Sequence, residues 1–225
     1  ALVKSVKFKN YNYIGDPINA VKIFNELKAD ELVLLDIDAT AEGRRISSEV
    51  IKRVGEEANM PFSVGGGISS IEDIKDVIAC GAEKVILNSH AITNPLFIQE
   101  AVQYFGSSTI VLCIDVKKKF LGKSNYVFIR NGKEATKYKP AALARIAEEM
   151  GAGEIIIQSI SNDGTMSGYD IDLIKSISDA VTIPIVALGG AGHLTDFKKA
   201  HQHGNVSGIA AGSFFVYQGD NKGVL

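Results

Sequence analysis

Short apolar runs recur along the chain at Leu32–Ile37, Phe62–Val64, Lys84–Leu87, Ile110–Ile114, Ile155–Ile160, Ile185–Leu188 and Gly208–Ala211. They are rich in Val and Ile and do not alternate with polar residues. Strands buried on both faces read this way, which predicts a parallel sheet covered by helices. The intervening stretches carry helical signals. Pro17–Leu27 opens with Asp16 as N-cap and Pro17 at the first helical position. Ser69–Ala79 has apolar residues at 71, 74, 77 and 78 and stops before Gly81, and Pro140–Met150 stops before Gly151. One segment breaks the alternation: Asn125–Ile129 and Lys133–Tyr138 flank Asn131-Gly132, a strong hairpin signal.

An internal repeat organises these units. Glu31-Leu-Val-Leu-Leu-Asp-Ile resembles Glu154-Ile-Ile-Ile-Gln-Ser-Ile. Pro61 with Gly66-Gly67 matches Pro184 with Gly189-Gly190, and Gly81 matches Gly204, always 123 residues apart. A constant offset over some sixty residues says two similar halves, each holding several strand–helix units. Seven strands in two halves predict an α/β fold, a (β/α)8 TIM barrel built from two half-barrels. No Pro- or Ser-rich linker divides residues 1–225, so one domain is expected. Such barrels take about 250 residues, and the second-half strand Ile110–Ile114 has no first-half counterpart after Ala1. An N-terminal strand upstream of Ala1 is therefore expected.

In this fold the reactive residues gather at the C-terminal ends of the strands. Asp36 and Asp38 follow the first run, Gly65-Gly66-Gly67 the second, Asn88-Ser89 the third and Asp115 the fourth. Ser161-Asn162-Asp163-Gly164-Thr165, Gly189-Gly190-Ala191-Gly192 and Gly212-Ser213 follow the remaining three. Glycines let backbone N–H groups approach an anion, and a helix N-terminus adds partial positive charge. Two copies, one per half, imply two anion sites across one barrel mouth and a substrate with a phosphate at each end. Either copy alone would serve equally as a tight strand–helix turn. Asp115 and Asp163 are candidate proton shuttles, with a plain loop or N-cap aspartate as the alternative. At the opposite strand ends stand Glu31, Lys84 and Glu154, each preceding an apolar run. They either snorkel to solvent or pair across the bottom opening. Lys117-Lys118-Lys119 and Lys123 form a basic cluster after Asp115, either a solvated loop or a capture site for a phosphorylated molecule.

Composition removes other classes. The chain is 46% hydrophobic and 22% charged, enough apolar material for a core. Its 24 Lys and Arg against 26 Asp and Glu leave a net charge of −2, with no footprint for nucleic acid or an anionic membrane. No apolar run approaches the roughly 20 residues of a membrane span, and Lys4, Lys7 and Lys9 interrupt any signal-peptide pattern. Cys80 and Cys113 read as free thiols of a cytoplasmic protein. His193, His201 and His203 have no metal-ligand spacing, and there is no dinucleotide fingerprint or G-x-S-x-G elbow. No metal or other cofactor is expected.

Several motifs carry a resemblance over essentially the whole chain. They are Leu34-Leu-Asp-Ile-Asp-Ala39, Phe62-Ser-Val-Gly-Gly-Gly-Ile68, Lys84-Val-Ile-Leu-Asn-Ser89, Cys113-Ile-Asp-Val-Lys117, Gly151-Ala-Gly-Glu-Ile155 and Asn162-Asp-Gly-Thr-Met-Ser-Gly-Tyr-Asp170. The chain resembles the HisA/HisF family, in particular HisF, the cyclase subunit of imidazole glycerol phosphate synthase. The resemblance implies a partner glutaminase of the HisH type at the bottom of the barrel, whose ammonia passes to the top. There it would convert a bisphosphorylated ribulosyl intermediate to imidazole glycerol phosphate and an aminoimidazole carboxamide ribotide. It implies Asp115 as a catalytic aspartate, Asp163 on the substrate-contacting loop, and Gly66, Gly67, Asn88 and Ser89 at one phosphate. Gly189, Gly190, Gly212 and Ser213 fall at the other, with Lys4 and Gly164 near the substrate. It implies Glu31, Lys84 and Glu154 as three of four gate residues. The fourth gate residue, an arginine, and a second catalytic aspartate on the first strand match positions upstream of Ala1.

Two positions depart from the family pattern. Leu188 and Gly212 stand where serines are usual, both at the same phosphate site, although Ser213 is adjacent. These departures favour an alternative: a HisF-like paralogue that conducts ammonia to a sugar amidotransferase of surface-polysaccharide synthesis. The retained Asp115 and Asp163 favour the cyclase. An isomerase of the HisA type fits less well, because Asp38-Ala39-Thr40 stands where an Asp-Gly-Ala is usual.

Overall fold

A computed structural model describes residues 1–118, 124–217 and the backbone of 218 and 223–224. Two strands, β1 (Leu2–Val6) and β2 (Lys9–Gly15), open the chain as an antiparallel hairpin and lead into α1 (Pro17–Glu26). The first half continues with β3 (Leu32–Leu35), α2 (Ser48–Glu57), β4 (Phe62–Gly65), α3 (Ile71–Ala79), β5 (Lys84–Leu87), α4 (Ser89–Thr93) and α5 (Leu96–Phe105). After it come β6 (Ile110–Lys118), β7 (Asn125–Ile129), β8 (Glu134–Ala135), α6 (Pro140–Glu149), β9 (Glu154–Ser159) and α7 (Ile171–Ser178). The chain ends through β10 (Ile185–Leu188), α8 (Leu194–Gly204), β11 (Gly208–Ala210), α9 (Ser213–Val216) and a two-residue pairing of Tyr217–Gln218 with Gly223–Val224.

Seven strands form one parallel sheet in chain order, β3-β4-β5-β6-β9-β10-β11. Each is followed by helical cover, as the uninterrupted apolar runs require. The sheet curls until its helix layer meets itself: Phe24 of α1 and Phe215 of α9 pack edge to face with centroids 6.4 Å apart. This is the (β/α)8-type barrel architecture. Among the described residues no strand pairs with the outer edges of β3 and β11. Those edges have partly exposed residues at nearly every position, while β4 is buried throughout.

Period-two alternation divides the strands into two cores. Val85, Leu87, Ile110, Leu112, Ile155 and Ile157 point outward into the main core under the helices. Ile86, Val111, Cys113 and Ile156 point inward, joined by Val33, Val186 and Leu188, and make a smaller apolar plug in the barrel. At each end of this plug the inward positions become polar, and the chemistry sits there.

Five expected strands end within a residue of their observed bounds, and so do helices α1 and α6; α3 starts two residues later than expected. Two strands differ. β3 stops at Leu35, and Asp36 Oδ1 accepts from the N–H groups of Asp38 and Ala39. β6 runs to Lys118 because β7 pairs with its far half, Asp115 opposite Phe128. The hairpin forms as expected, but its second strand is only Glu134–Ala135 and the turn spans 130–133, with Arg130, Asn131 and Gly132 all left-handed. The opening hairpin β1–β2 gave no signal, since its turn residues Lys7 and Phe8 take φ of 55° and 58° without the Asn or Gly that usually marks such a turn.

Candidate active site

Asp115 ends the barrel-facing row of β6 at the C-terminal mouth. It is buried, and Asn88 Nδ2 donates to its Oδ2 at 3.1 Å. The Cys113 thiol approaches Oδ1 at 3.7 Å. Burial dominates and raises the carboxyl to about 7, against the opposing bonds from Asn88 and Cys113, with a further upward push from Asp163. Asp115 is therefore half-protonated near neutrality, the state in which a carboxyl can both give and take a proton.

Asp163 faces it from the loop after β9. Gln158 Nε2 donates to Oδ1 and Ser5 Oγ to Oδ2, each at 3.1 Å. Burial raises this carboxyl too, while Lys4, Ser5, the Phe8 backbone and Gln158 oppose the rise. The opening hairpin thus lies across the barrel mouth: the Lys7 N–H donates to the Asp163 carbonyl at 2.9 Å. Lys4 is held below the usual lysine range by burial, with Asp163 pulling the other way. A side chain on Gly212 would collide with the Lys4 ammonium. The missing hydroxyl at 212 is therefore also the space that Lys4 occupies. Beside it the Ser213 hydroxyl is buried, with no hydrogen-bond partner among the described residues. A buried hydroxyl next to an ammonium is a place an anion would satisfy.

The two glycine turns are built alike. Gly67, with φ of 67°, leaves no room for a Cβ under the Arg44 carbonyl, and Gly190, with φ of 112°, none under that of Gly168. Asp73 caps α3 by accepting from the N–H groups of Ser69 and Ser70, and Asp196 caps α8 by accepting from those of Gly192 and His193. Asp73 and Asp196 are themselves equivalent in the repeat. These carboxylates bond the N–H groups just ahead of each helix. No side chain caps α4 or α9, which follow the next strands, Ser89 and Ser213 being their first residues.

Glu31, Lys84 and Glu154 meet at the other end of the barrel. Lys84 Nζ donates to Glu31 Oε2 and Glu154 Oε2 at 3.0 Å each, and Ser63 Oγ donates to Glu31 Oε1 at 2.5 Å. Partial burial would lower Lys84, but its two carboxylate bonds hold it above its usual value. Ser63 was missed in the sequence; its signal is a lone hydroxyl on a strand whose every residue is buried. One cavity of about 1220 Å³ is lined by Asp115, Asp163, Gly66 and Gly190 at the top and by Glu31 and Glu154 at the bottom. It takes in the space between the edge strands β3 and β11, both of which line it. Of the basic cluster, Lys117 lines a smaller cavity of about 320 Å³ with Lys7, Lys9 and Lys133. Lys118 is exposed, and Lys119 and Lys123 lie outside the described residues. Among the described residues no group of three His, Cys, Asp or Glu could hold a metal ion, and no helix is long and apolar enough to cross a membrane.

A parallel barrel with paired glycine turns and two carboxyls at its C-terminal mouth belongs to the class of (β/α)8 barrels whose site lies at the strand C-termini. The sequence model of the family described as "Histidine biosynthesis protein" matches residues 1–222, and the chain belongs to that family. It is 46% identical over 224 residues to a Leptospira interrogans protein provisionally named imidazole glycerol phosphate synthase subunit HisF, covering all of this chain and 88% of that protein. A Vibrio vulnificus relative provisionally named subunit hisF3 is 42% identical over 224 residues, all of this chain and 86% of its own length. The imidazole glycerol phosphate synthase subunit HisF of Alkaliphilus metalliredigens is 42% identical over 216 residues, 96% of this chain and 85% of that protein.

Proposed function

We propose that this chain is the cyclase subunit of an imidazole glycerol phosphate synthase, taking ammonia from a glutaminase at the bottom of the barrel. The observation that carries the reading is the pair of opposed mouth carboxyls: burial raises both, Asp115 to about 7. Ammonia addition to a ribulosyl carbonyl and the ring closure that follows need protons moved in both directions, and Asp115 is poised for that. Asp163 faces it and is held by Ser5, Gln158 and the hairpin across the mouth. Of the two phosphates, one goes to Gly66, Gly67, Asn88 and Ser89. The other goes to Gly189, Gly190 and the unpartnered Ser213 beside Lys4, with Lys4 replacing the hydroxyl that Gly212 lacks. Glu31, Lys84 and Glu154 form the lower gate, and Ser63 holds Glu31 in place.

A second reading rests on Leu188 and Gly212. Both are at the same phosphate end, and one HisF relative carries a name numbered 3. In that reading the barrel is a paralogue that conducts ammonia to a sugar amidotransferase. One assay separates the two: the purified protein with the bisphosphorylated ribulosyl intermediate and excess ammonium at alkaline pH, followed by loss of substrate absorbance. Turnover supports the cyclase. A folded protein without turnover supports the conduit.

A further inference from the structure

A chain of hydrogen bonds runs from the turn of the inserted hairpin to Asp115. The Arg130 N–H donates to Ser89 Oγ at 3.0 Å, the Ser89 hydroxyl pairs with Asn88 Oδ1 at 2.9 Å, and Asn88 Nδ2 reaches Asp115 Oδ2 at 3.1 Å. Its proton directions follow from chemistry alone. A backbone N–H can only donate, so the Ser89 oxygen accepts there and its single proton goes to Asn88. An amide oxygen can only accept, so Oδ1 faces Ser89 and the amide NH₂ faces Asp115. The Cys113 carbonyl, which accepts from the same Nδ2 at 2.9 Å, agrees with this orientation. Both N–H donors of the Asn88 amide are thus engaged and its oxygen accepts one bond, and a donor on that oxygen strengthens the bonds its nitrogen makes.

The far end of the chain is held firmly. Arg130 and Asn131 take φ of 52° and 58°, a left-handed turn that aims the Arg130 N–H at α4. Asn131 Nδ2 donates to the Tyr11 hydroxyl of the opening hairpin at 2.6 Å, and Gly132 packs against Phe8 of the same hairpin. The inserted hairpin therefore touches the cover over the mouth on one side and the bonding chain to Asp115 on the other.

We infer that Ser89, held by the β7–β8 turn, is a positioning residue for Asp115, in addition to any contact it makes with a phosphate. Its hydroxyl fixes the Asn88 amide, and Asn88 in turn stabilises the ionised carboxylate. Losing that hydroxyl leaves the amide oxygen unpaired and weakens the bond to Asp115, so Asp115 ionises at higher pH.

The test follows the Asp115 carboxyl by carbon NMR titration in ligand-free protein, with Asp115→Asn to assign the signal. Ser89→Ala is expected to move the midpoint upward by roughly half to one pH unit, the scale of one hydrogen bond, and Ser89→Thr to restore it. Ser89→Cys, a weaker donor of similar size, is expected to fall between and serves if Ser89→Ala does not fold. An unmoved midpoint in the folded variants overturns the inference. Turnover adds a second readout that rests on the cyclase reading: positioning moves the acidic limb of the kcat profile, whereas a phosphate contact alone raises KM and leaves that limb in place. If the wild type shows no turnover, the cyclase reading fails and the titration still decides the role of Ser89.

Discussion

Each end of the barrel brings two carboxyls and one lysine together, but in different arrangements. At the bottom, Lys84 sits between Glu31 and Glu154 with both bonds at 3.0 Å, and Ser63 supports one of the carboxylates. Each carboxylate there is bonded directly to the one ammonium, and the three residues form a polar cluster at that opening. At the top, Asp115 and Asp163 face each other with Lys4 as the nearby cation, and both carboxyls are raised by burial. Charge there is left under tension. An end that satisfies its charges is suited to closing a passage, and an end that does not is suited to moving protons.

The largest expected effect breaks the top end. Asp115→Asn keeps the shape and the Asn88 neighbour but cannot exchange a proton, so ammonia-dependent turnover should fall about a thousandfold or more with the circular dichroism spectrum unchanged. Turnover within tenfold of wild type would take Asp115 out of the mechanism.

The same substitution sharpens the contrast through stability. Asp115 ionises near pH 7 when folded and near 3.8 when unfolded, so the folded state holds the extra proton between those values. Wild-type stability should therefore decline as pH rises through that window. Asp115→Asn removes the penalty. It should stabilise the protein on the order of 2 kcal/mol at pH 8, with the gain fading toward pH 4 and below as the unfolded state also becomes protonated. Thermal melts across that range check the sign; an equal gain at both pH values would mean burial does not tax Asp115.

A smaller effect is expected at the phosphate end. Ser213→Ala removes the buried unpartnered hydroxyl, which costs the free protein little. It should raise KM for the bisphosphorylated substrate about tenfold, the scale of one charge-assisted bond, with kcat nearly unchanged. Steady-state kinetics at saturating ammonium separates the two constants. The smallest effect belongs to the lower cluster. Lys84→Ala should alter glutamine-dependent turnover several-fold and leave free-ammonia turnover as it was; equal changes in both would make the cluster structural.

Much of the barrel was legible because strands buried on both faces write their own signature. β5 and β10 have the expected bounds, and the 123-residue repeat places equivalent turns in both halves. The same repeat pairs Asp73 with Asp196, which accept from the N–H groups just ahead of α3 and α8. Sequence spacing could name the glycine turns but not who occupies the donors behind them. Ser63 and Gln158 were invisible for a related reason: a single polar residue on an apolar strand shows its purpose only when its partner is known.

Alternation, glycine placement and the repeat determined, without coordinates, that this chain forms a parallel barrel with polar residues at the strand ends, because those signals are local and set by backbone geometry. Tertiary structure alone decided the rest. It laid the Leu2–Gly15 hairpin over the mouth, put the Lys4 ammonium in the space Gly212 leaves empty, and linked Arg130 through Ser89 and Asn88 to Asp115. These contacts join residues as far apart along the chain as Lys4 and Gly212. Their energies depend on burial and on which donor meets which acceptor, and neither is written in the order of residues along the chain.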